Sequence, residues 1–294
     1  MMTLNDLLHE KGIDLAQVLV MRHRPWEKKL NKVLPWLAAQ RPDLFNAYQQ
    51  TQKPKVERRF LKAKYLASFM GRSPGRALFV GLYKINGSTE LTYEACLAHP
   101  LNIELVGLGM GGAKPGEEPA TIRWFDLTVD ESFYPEWKGR LVVGWPKPEI
   151  VYCRRASTNV FPVLAIHEQS VLDAAMPPWD EVLLTWEQLL VLPRRWKDTM
   201  TQWRGIYFIY DESDGKGYVG SAYGDENISH RWTEGYARTG HGGNKLMKGR
   251  DPKNFHFSIL QRLSPDLEPA DVIRVEKTWK KRLHTHAPAG LNEN

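Results

Sequence analysis

The segment 205–222, GIYFIYDESDGKGYVGSA, constrains the fold more tightly than any other stretch of the chain. Two aromatic-rich runs of alternating character flank Asp211–Gly217, which is crowded with turn-forming residues. Alternation with a period of two on both sides of such a turn is the signature of an antiparallel hairpin.

The preceding 200 residues read differently. Between residues 3 and 70, apolar positions recur at three-to-four spacing through Leu30, Val33, Leu34 and Leu37, and again through Phe60, Tyr65, Leu66 and Phe69. This spacing predicts helices, ended by a loop at residues 72–75. From Arg76 the period shortens: ALFVGLYKI, an Asn86-Gly87 turn and STELTYEACL predict a hairpin, and further short strands follow up to residue 168. Many short strands in so little chain imply a small barrel or a strongly curved sheet. Residues 177–196 read as a helix-containing connector with Thr185 as an N-cap. The expected class is α+β: a basic helical segment (1–75), a β-rich barrel-like domain with its connector (76–198) and a C-terminal unit (199–294).

Composition narrows the setting. At 42% hydrophobic and 25% charged residues the chain has the balance of a soluble globular protein. No apolar run approaches the roughly eighteen residues of a membrane span, and the N-terminus carries no basic-then-apolar leader. Cys96 and Cys153 lack metal-ligand spacing and read as small buried hydrophobes in a reducing, cytoplasmic setting. The net charge of +6 is unevenly spread: residues 1–75 hold fourteen Lys and Arg against six Asp and Glu, whereas residues 76–200 hold twelve against sixteen. A basic N-terminal third suits a polyanion, or is a solvated helical face.

The hairpin's halves contain Gly205-Ile206-Tyr207 and Tyr218-Val219-Gly220. Arg231 follows in a polar stretch, Glu276 in ADVIRVEKTWKKRL, and Asn292 in a terminal GLNEN. In order and spacing these five elements, from about Arg204 to Asn294, resemble the GIY-YIG nuclease superfamily. The resemblance implies an α/β sandwich, a small antiparallel sheet flanked by helices, and metal-dependent hydrolysis of phosphodiester bonds in DNA. It implies one Mg²⁺ or Mn²⁺ ion per active site, held by Glu276 with water and phosphate; such ions keep most of their waters. Arg231 matches the residue that contacts the scissile phosphate. Tyr207 matches the general base or water-orienting phenol, Tyr218 a second phenol and Asn292 a polar residue shaping the site. A free phenol titrates near pH ~10, so a base role requires nearby cations to lower it; Lys216 is a candidate for that task or for the base itself. Gly205 and Gly220 would permit close backbone approach to metal or phosphate.

One departure is visible. Many family members carry His or Tyr four residues after the arginine, where this chain has Gly235; Tyr236, His230 or His241 could fill the place, Tyr236 best. Arg238, Lys245 and Lys248, in or beside the glycine-rich loop 238–249, are candidates for DNA phosphates, together with that loop's backbone amides. Singly, each site residue has an ordinary reading: strand aromatics for the tyrosines, a solvated helix pair with Lys280 for Glu276. Gly81-Leu82-Tyr83 is a strand without partner motifs, and His284 and His286 lack further ligands at metal spacing.

In this superfamily specificity usually comes from an attached module. The N-terminal part carries aromatics (Trp124, Phe125, Phe133, Tyr134, Trp137, Trp145, Tyr152) that are either core or platforms for a base. The expected function is a restriction or phage-defence endonuclease acting on double-stranded DNA, modified DNA included. The alternatives are a structure-specific repair or recombination nuclease and a non-catalytic DNA-binding protein on the same scaffold. One site cuts one strand, so double-strand cleavage requires a homodimer or two successive nicks.

Overall fold

The first 75 residues do not form a helical segment of their own. In the computed structural model, which describes residues 1–294 apart from Arg72, Asp173, Ala174, Asp225 and Asn294, they open with α1 (Leu4–Glu10) and a strand, β1 (Val18–His23). Arg72, in the expected 72–75 loop, thus lies outside the described residues. Helices α2 (Lys28–Gln40), α3 (Pro42–Gln50) and α4 (Pro54–Phe60) then lead to β2 (Tyr65–Met70). β1 and β2 are parallel, in register from Val18↔Tyr65 to His23↔Met70, and every residue of β1 is buried. A strand covered on both faces shows a continuous apolar run instead of alternation, which is why its sequence passes for helix.

β3 (Arg76–Thr92) runs straight through the expected Asn86-Gly87 turn. After α5 (Tyr93–Leu97) and α6 (Pro100–Gly107), β4 (Thr121–Val129) pairs with the outer half of β3, and the register slips between Ile85 and Gly87. Gly87, at φ +144°, forms a bulge there, so a long partner strand absorbs the glycine that would otherwise have turned the chain. With β5 (Leu141–Gly144), β6 (Cys153–Arg155) and β7 (Val163–Ile166) the sheet has the order β6-β1-β2-β3-β5-β7, and β4 branches from β3. It is a curled, open sheet and not a closed barrel. Phe125, Phe133 and Trp145 are buried; Tyr134 stacks on Trp137 at 4.3 Å, Trp124 lies against His99, and Tyr152 reaches the surface. Both cysteines are buried and free.

The chain divides at residues 174 and 175, not at 75 and 198. The connector belongs to the second unit because its strand β8 (Leu183–Thr185) pairs with a strand far along the chain, Leu184 opposite Phe257. Thr185 takes the expected N-cap position of α7 (Trp186–Leu190), its amide donating to Gln188 Oε1 at 3.1 Å. α8 (Arg194–Thr201) precedes the expected hairpin, β9 (Arg204–Asp211) and β10 (Lys216–Ala222). Then come α9 (Asn227–His230), a π-helical segment (Arg231–Ala237), β11 (Phe255–Leu263) and α10 (Pro269–Arg282). The four strands form an antiparallel sheet, β10-β9-β11-β8, so both units mix helix and strand and the α+β class holds. Among the described residues no helix is long and apolar enough to cross a membrane.

The N-terminal unit also buries a histidine. His23 lies between the rings of Phe45 and Tyr48, at 5.3 and 5.4 Å, and burial pushes its pKa down from 6.5 to about 4. The unfolded chain therefore takes up this proton first as pH falls, and the folded form follows only near pH 4. Stability should drop between pH ~6.5 and ~4, by about 3 kcal/mol for this group. Thermal unfolding of wild type and His23→Phe at pH 7 and pH ~4.5 checks this: wild type should lose distinctly more stability on acidification, and equal losses would contradict it.

Candidate active site

The hairpin's register sorts the site residues onto two faces. Tyr207 pairs with Gly220 and Ile209 with Tyr218, so their side chains share one face; Ile206, Val219 and Ser221 share the other. At the tip, Arg250 clamps the turn through Asp211 (2.7 Å) and Asp214 (2.9 Å). β10 is the edge strand of this sheet and, like every strand, is one backbone thick, so neighbouring residues reach its opposite faces.

On the first face, Tyr207 is fully buried, and its phenol lies where a Cβ of residue 220 would be. Gly220 is therefore required by a tyrosine of the same hairpin and not by an approaching phosphate. Gly205 is likewise occupied from within, by Ile228 of α9 and the Gln261 carbonyl. Tyr207 Oη accepts a hydrogen bond from Arg231 Nε at 3.0 Å and stands 3.4 Å from Tyr236 Oη. The Tyr218 ring lies 6.3 Å from Tyr207 and 6.4 Å from Tyr236, and Trp232 packs edge-on to Tyr207. Tyr207 and Tyr236 are buried, whereas Tyr218 and Arg231 are partly exposed.

The π-helix accounts for the departure at Gly235. In an α-helix, residues five apart point in diverging directions; a π-helix bonds each residue to the fifth and brings such pairs onto one side. Tyr236, five residues after Arg231, accordingly lies beneath the guanidinium, 5.4 Å from Cζ to ring centroid. His230 is instead exposed beside Glu226, and His241 accepts from the Gly243 amide.

Electrostatics bears on the base. Burial, reinforced by Tyr218, raises the Tyr207 pKa above its ordinary value, and the opposing Arg231 charge does not offset this. Burial also pushes Tyr236 well up. These phenols are neutral at physiological pH, so Tyr207 is poorly suited to act as a phenolate base. Burial works against the Arg231 charge, but the three phenols more than compensate and hold its pKa up. The Lys216 charge acts on Asp214, and among the described residues no hydrogen bond or cation–π contact joins it to Tyr207 or Tyr218.

The second face holds Glu276. It extends from α10, whose Val272 packs with Ile206 and Val219, and accepts a short hydrogen bond from Ser221 Oγ. Its other oxygen is 2.7 Å from Lys280, one helical turn on. The pair is partly buried, at 15% and 14% side-chain exposure, and so is no solvated surface couple. Glu276 and Tyr207 thus meet β10 at adjacent residues, Ser221 and Gly220, from opposite sides. Sequence reasoning missed Ser221; its signal is its position directly after the YVG tripeptide.

Asn292 is buried, accepting from the Val219 amide (3.0 Å) and donating to the Val219 carbonyl (2.8 Å). It completes the hydrogen bonding of edge strand β10, so it shapes the site through the backbone. Arg238, Lys245 and Lys248 are exposed; the first two stand 3.9 Å from Glu234 and Glu293. The expected amide cradle in their loop is largely taken: Thr239 Oγ1 accepts from the His241 and Gly242 amides, and His241 Nδ1 from that of Gly243.

A Cβ at Gly220 has nowhere to go while Tyr207 is present. Gly220→Ala should cost about 1–3 kcal/mol in denaturant unfolding, and distinctly less in a Tyr207→Leu background. Equal costs in both backgrounds would show that the two side chains do not share this space.

No family model, curated protein or solved structure matches the chain.

Proposed function

We propose that the C-terminal unit is a metal-dependent DNA endonuclease of the GIY-YIG type, and that the N-terminal unit selects the DNA it acts on. The observation that carries this is the state of Arg231. It is a partly buried guanidinium surrounded by three phenols, and among the described residues no carboxylate pairs with it. Nε bonds Tyr207, while the terminal nitrogens are in no hydrogen bond among the described residues. A cation held in place without an acidic partner is suited to an anion brought from outside, and its free fork matches two phosphate oxygens.

In this reading Tyr207 and Tyr236 are positioning residues: neutral and buried, they fix the guanidinium against the sheet. Tyr218, the partly exposed phenol, orients the attacking water. Glu276 would hold the Mg²⁺ or Mn²⁺ ion. Its oxygens are hard donors with lone pairs beyond those used by Ser221 and Lys280, and Ser221 Oγ adds a third oxygen. Among the described residues no cluster of three or more His, Cys, Asp or Glu is placed to hold a metal, so this donor set fits an ion that keeps most of its waters. Once bound, the ion would neutralise phosphoryl charge and ease departure of the leaving oxygen.

A restriction or phage-defence role, acting on modified DNA, belongs to the same proposal. It is tested by incubating the protein and Mg²⁺ with unmodified, methylated, hydroxymethylated, glucosylated and branched duplexes. One modified class should be cut preferentially; equal cutting of all would remove the selection claim, and preference for branches would favour a repair role. Glu276→Ala should abolish cleavage while DNA binding is retained, and an active variant would overturn the metal-ligand assignment.

A further inference from the structure

β1 and β2 form the parallel pair of the N-terminal sheet, with α2 following β1. At their carboxyl ends lies a cavity of about 320 Å³, lined by His23, Arg24, Asn31, Lys32 and Gly71 among others. The carboxyl ends of parallel strands, next to the start of the following helix, are where α/β folds commonly receive phosphate-bearing ligands. Placement alone is not a site, and two further observations point to a ligand.

The lining contains two cations and no acid. Lys32 and Arg24 are exposed and form no ion pair among the described residues; Arg24 is only near enough to Glu149 to influence it, and Glu149 itself pairs with Arg22. Glu27, at the α2 N-cap, accepts from the Gly111 amide. Asn31 donates Nδ2 to the Pro25 carbonyl, leaving Oδ1 as an acceptor. His23 is 5% exposed and its buried Nε2 has no hydrogen-bond partner, which is uncommon for a buried polar atom.

The second observation is Trp26. It adjoins Pro25, another lining residue, and is 84% exposed. An indole this open, one residue along the chain from the lining of a cationic cavity, is a platform on which a base can stack. The volume falls in the range of small-molecule sites, with room beyond a bare phosphate.

We infer that this cavity binds a nucleotide, its phosphate on Arg24 and Lys32 and its base on Trp26. The inference rests on the reading of the protein as acting on DNA, and deepens it by naming where the N-terminal unit holds a nucleotide unit of the strand. A free mononucleotide offers the same chemistry, so the test separates the two sources.

Binding of 5′-dCMP, inorganic phosphate and a short single-stranded oligodeoxynucleotide is measured by calorimetry on the full chain in EDTA, which prevents cleavage. The proteins are wild type, Arg24→Ala/Lys32→Ala and Trp26→Ala. The double variant should weaken binding of the oligonucleotide about tenfold or more, and Trp26→Ala should weaken nucleotide but not phosphate binding. Binding of the oligonucleotide with little affinity for dCMP identifies the strand as the source; comparable affinity for both identifies any nucleotide. Retained nucleotide binding by a wild-type protein that cleaves no DNA in Mg²⁺ would sink the nuclease reading and leave the cavity assignment standing. Wild-type affinity in the double variant, absence of binding by wild type, or phosphate held as tightly as nucleotide with no effect of Trp26→Ala would overturn the nucleotide assignment.

Discussion

The arrangement of the C-terminal unit depends on one contact: the Tyr207 phenol lies across Gly220 and accepts from Arg231. Because residue 220 has no side chain, the phenol can rest on the backbone of the neighbouring strand. This fixes the guanidinium relative to the edge of the sheet. The π-helical turn then brings Tyr236 beneath the same charge, and Trp232 closes the cluster from behind. The cluster is apolar enough to keep its phenols neutral, and it leaves Arg231 partly exposed. A glycine pairing first ascribed to an approaching phosphate thus acts one step earlier, by packing the group that would meet that phosphate.

The edge strand is the second determinant. Glu276 arrives from α10 on the opposite face and bonds Ser221, next to Gly220, so two chemically different groups converge on adjacent residues of one thin strand. Asn292 supports this arrangement by completing the outer hydrogen bonds of Val219, which holds an otherwise open edge in one register. Position 292 therefore acts on the geometry of β10 and not on a ligand.

What could be read in the sequence follows from which interactions are local. The hairpin was legible because alternation and turn residues are contiguous. The exchange of Gly235 for an aromatic one residue later was visible as a departure, but the π-helix that accommodates it depends on packing against β9 and β11. Strand β1 was misread because Val18–Met21 has no period when both its faces are covered, and Tyr65–Phe69 because four apolar residues in five fit either period. The Asn86-Gly87 turn failed for a related reason: a long partner strand, 35 residues on, decided between hairpin and bulge. The upward shift of the Tyr207 pKa was likewise invisible, since it depends on burial by Trp232 and Tyr236 and not on neighbouring letters.

In the proposed reading, Arg231 is held without an acidic partner in order to meet a phosphate. The most direct measurement is the rate of plasmid nicking in Mg²⁺ by Arg231→Lys, which keeps a charge but loses the fork, with folding verified by circular dichroism. The expected result is a folded protein whose nicking rate falls on the order of 100-fold or more. A folded variant that nicks at the wild-type rate would contradict it.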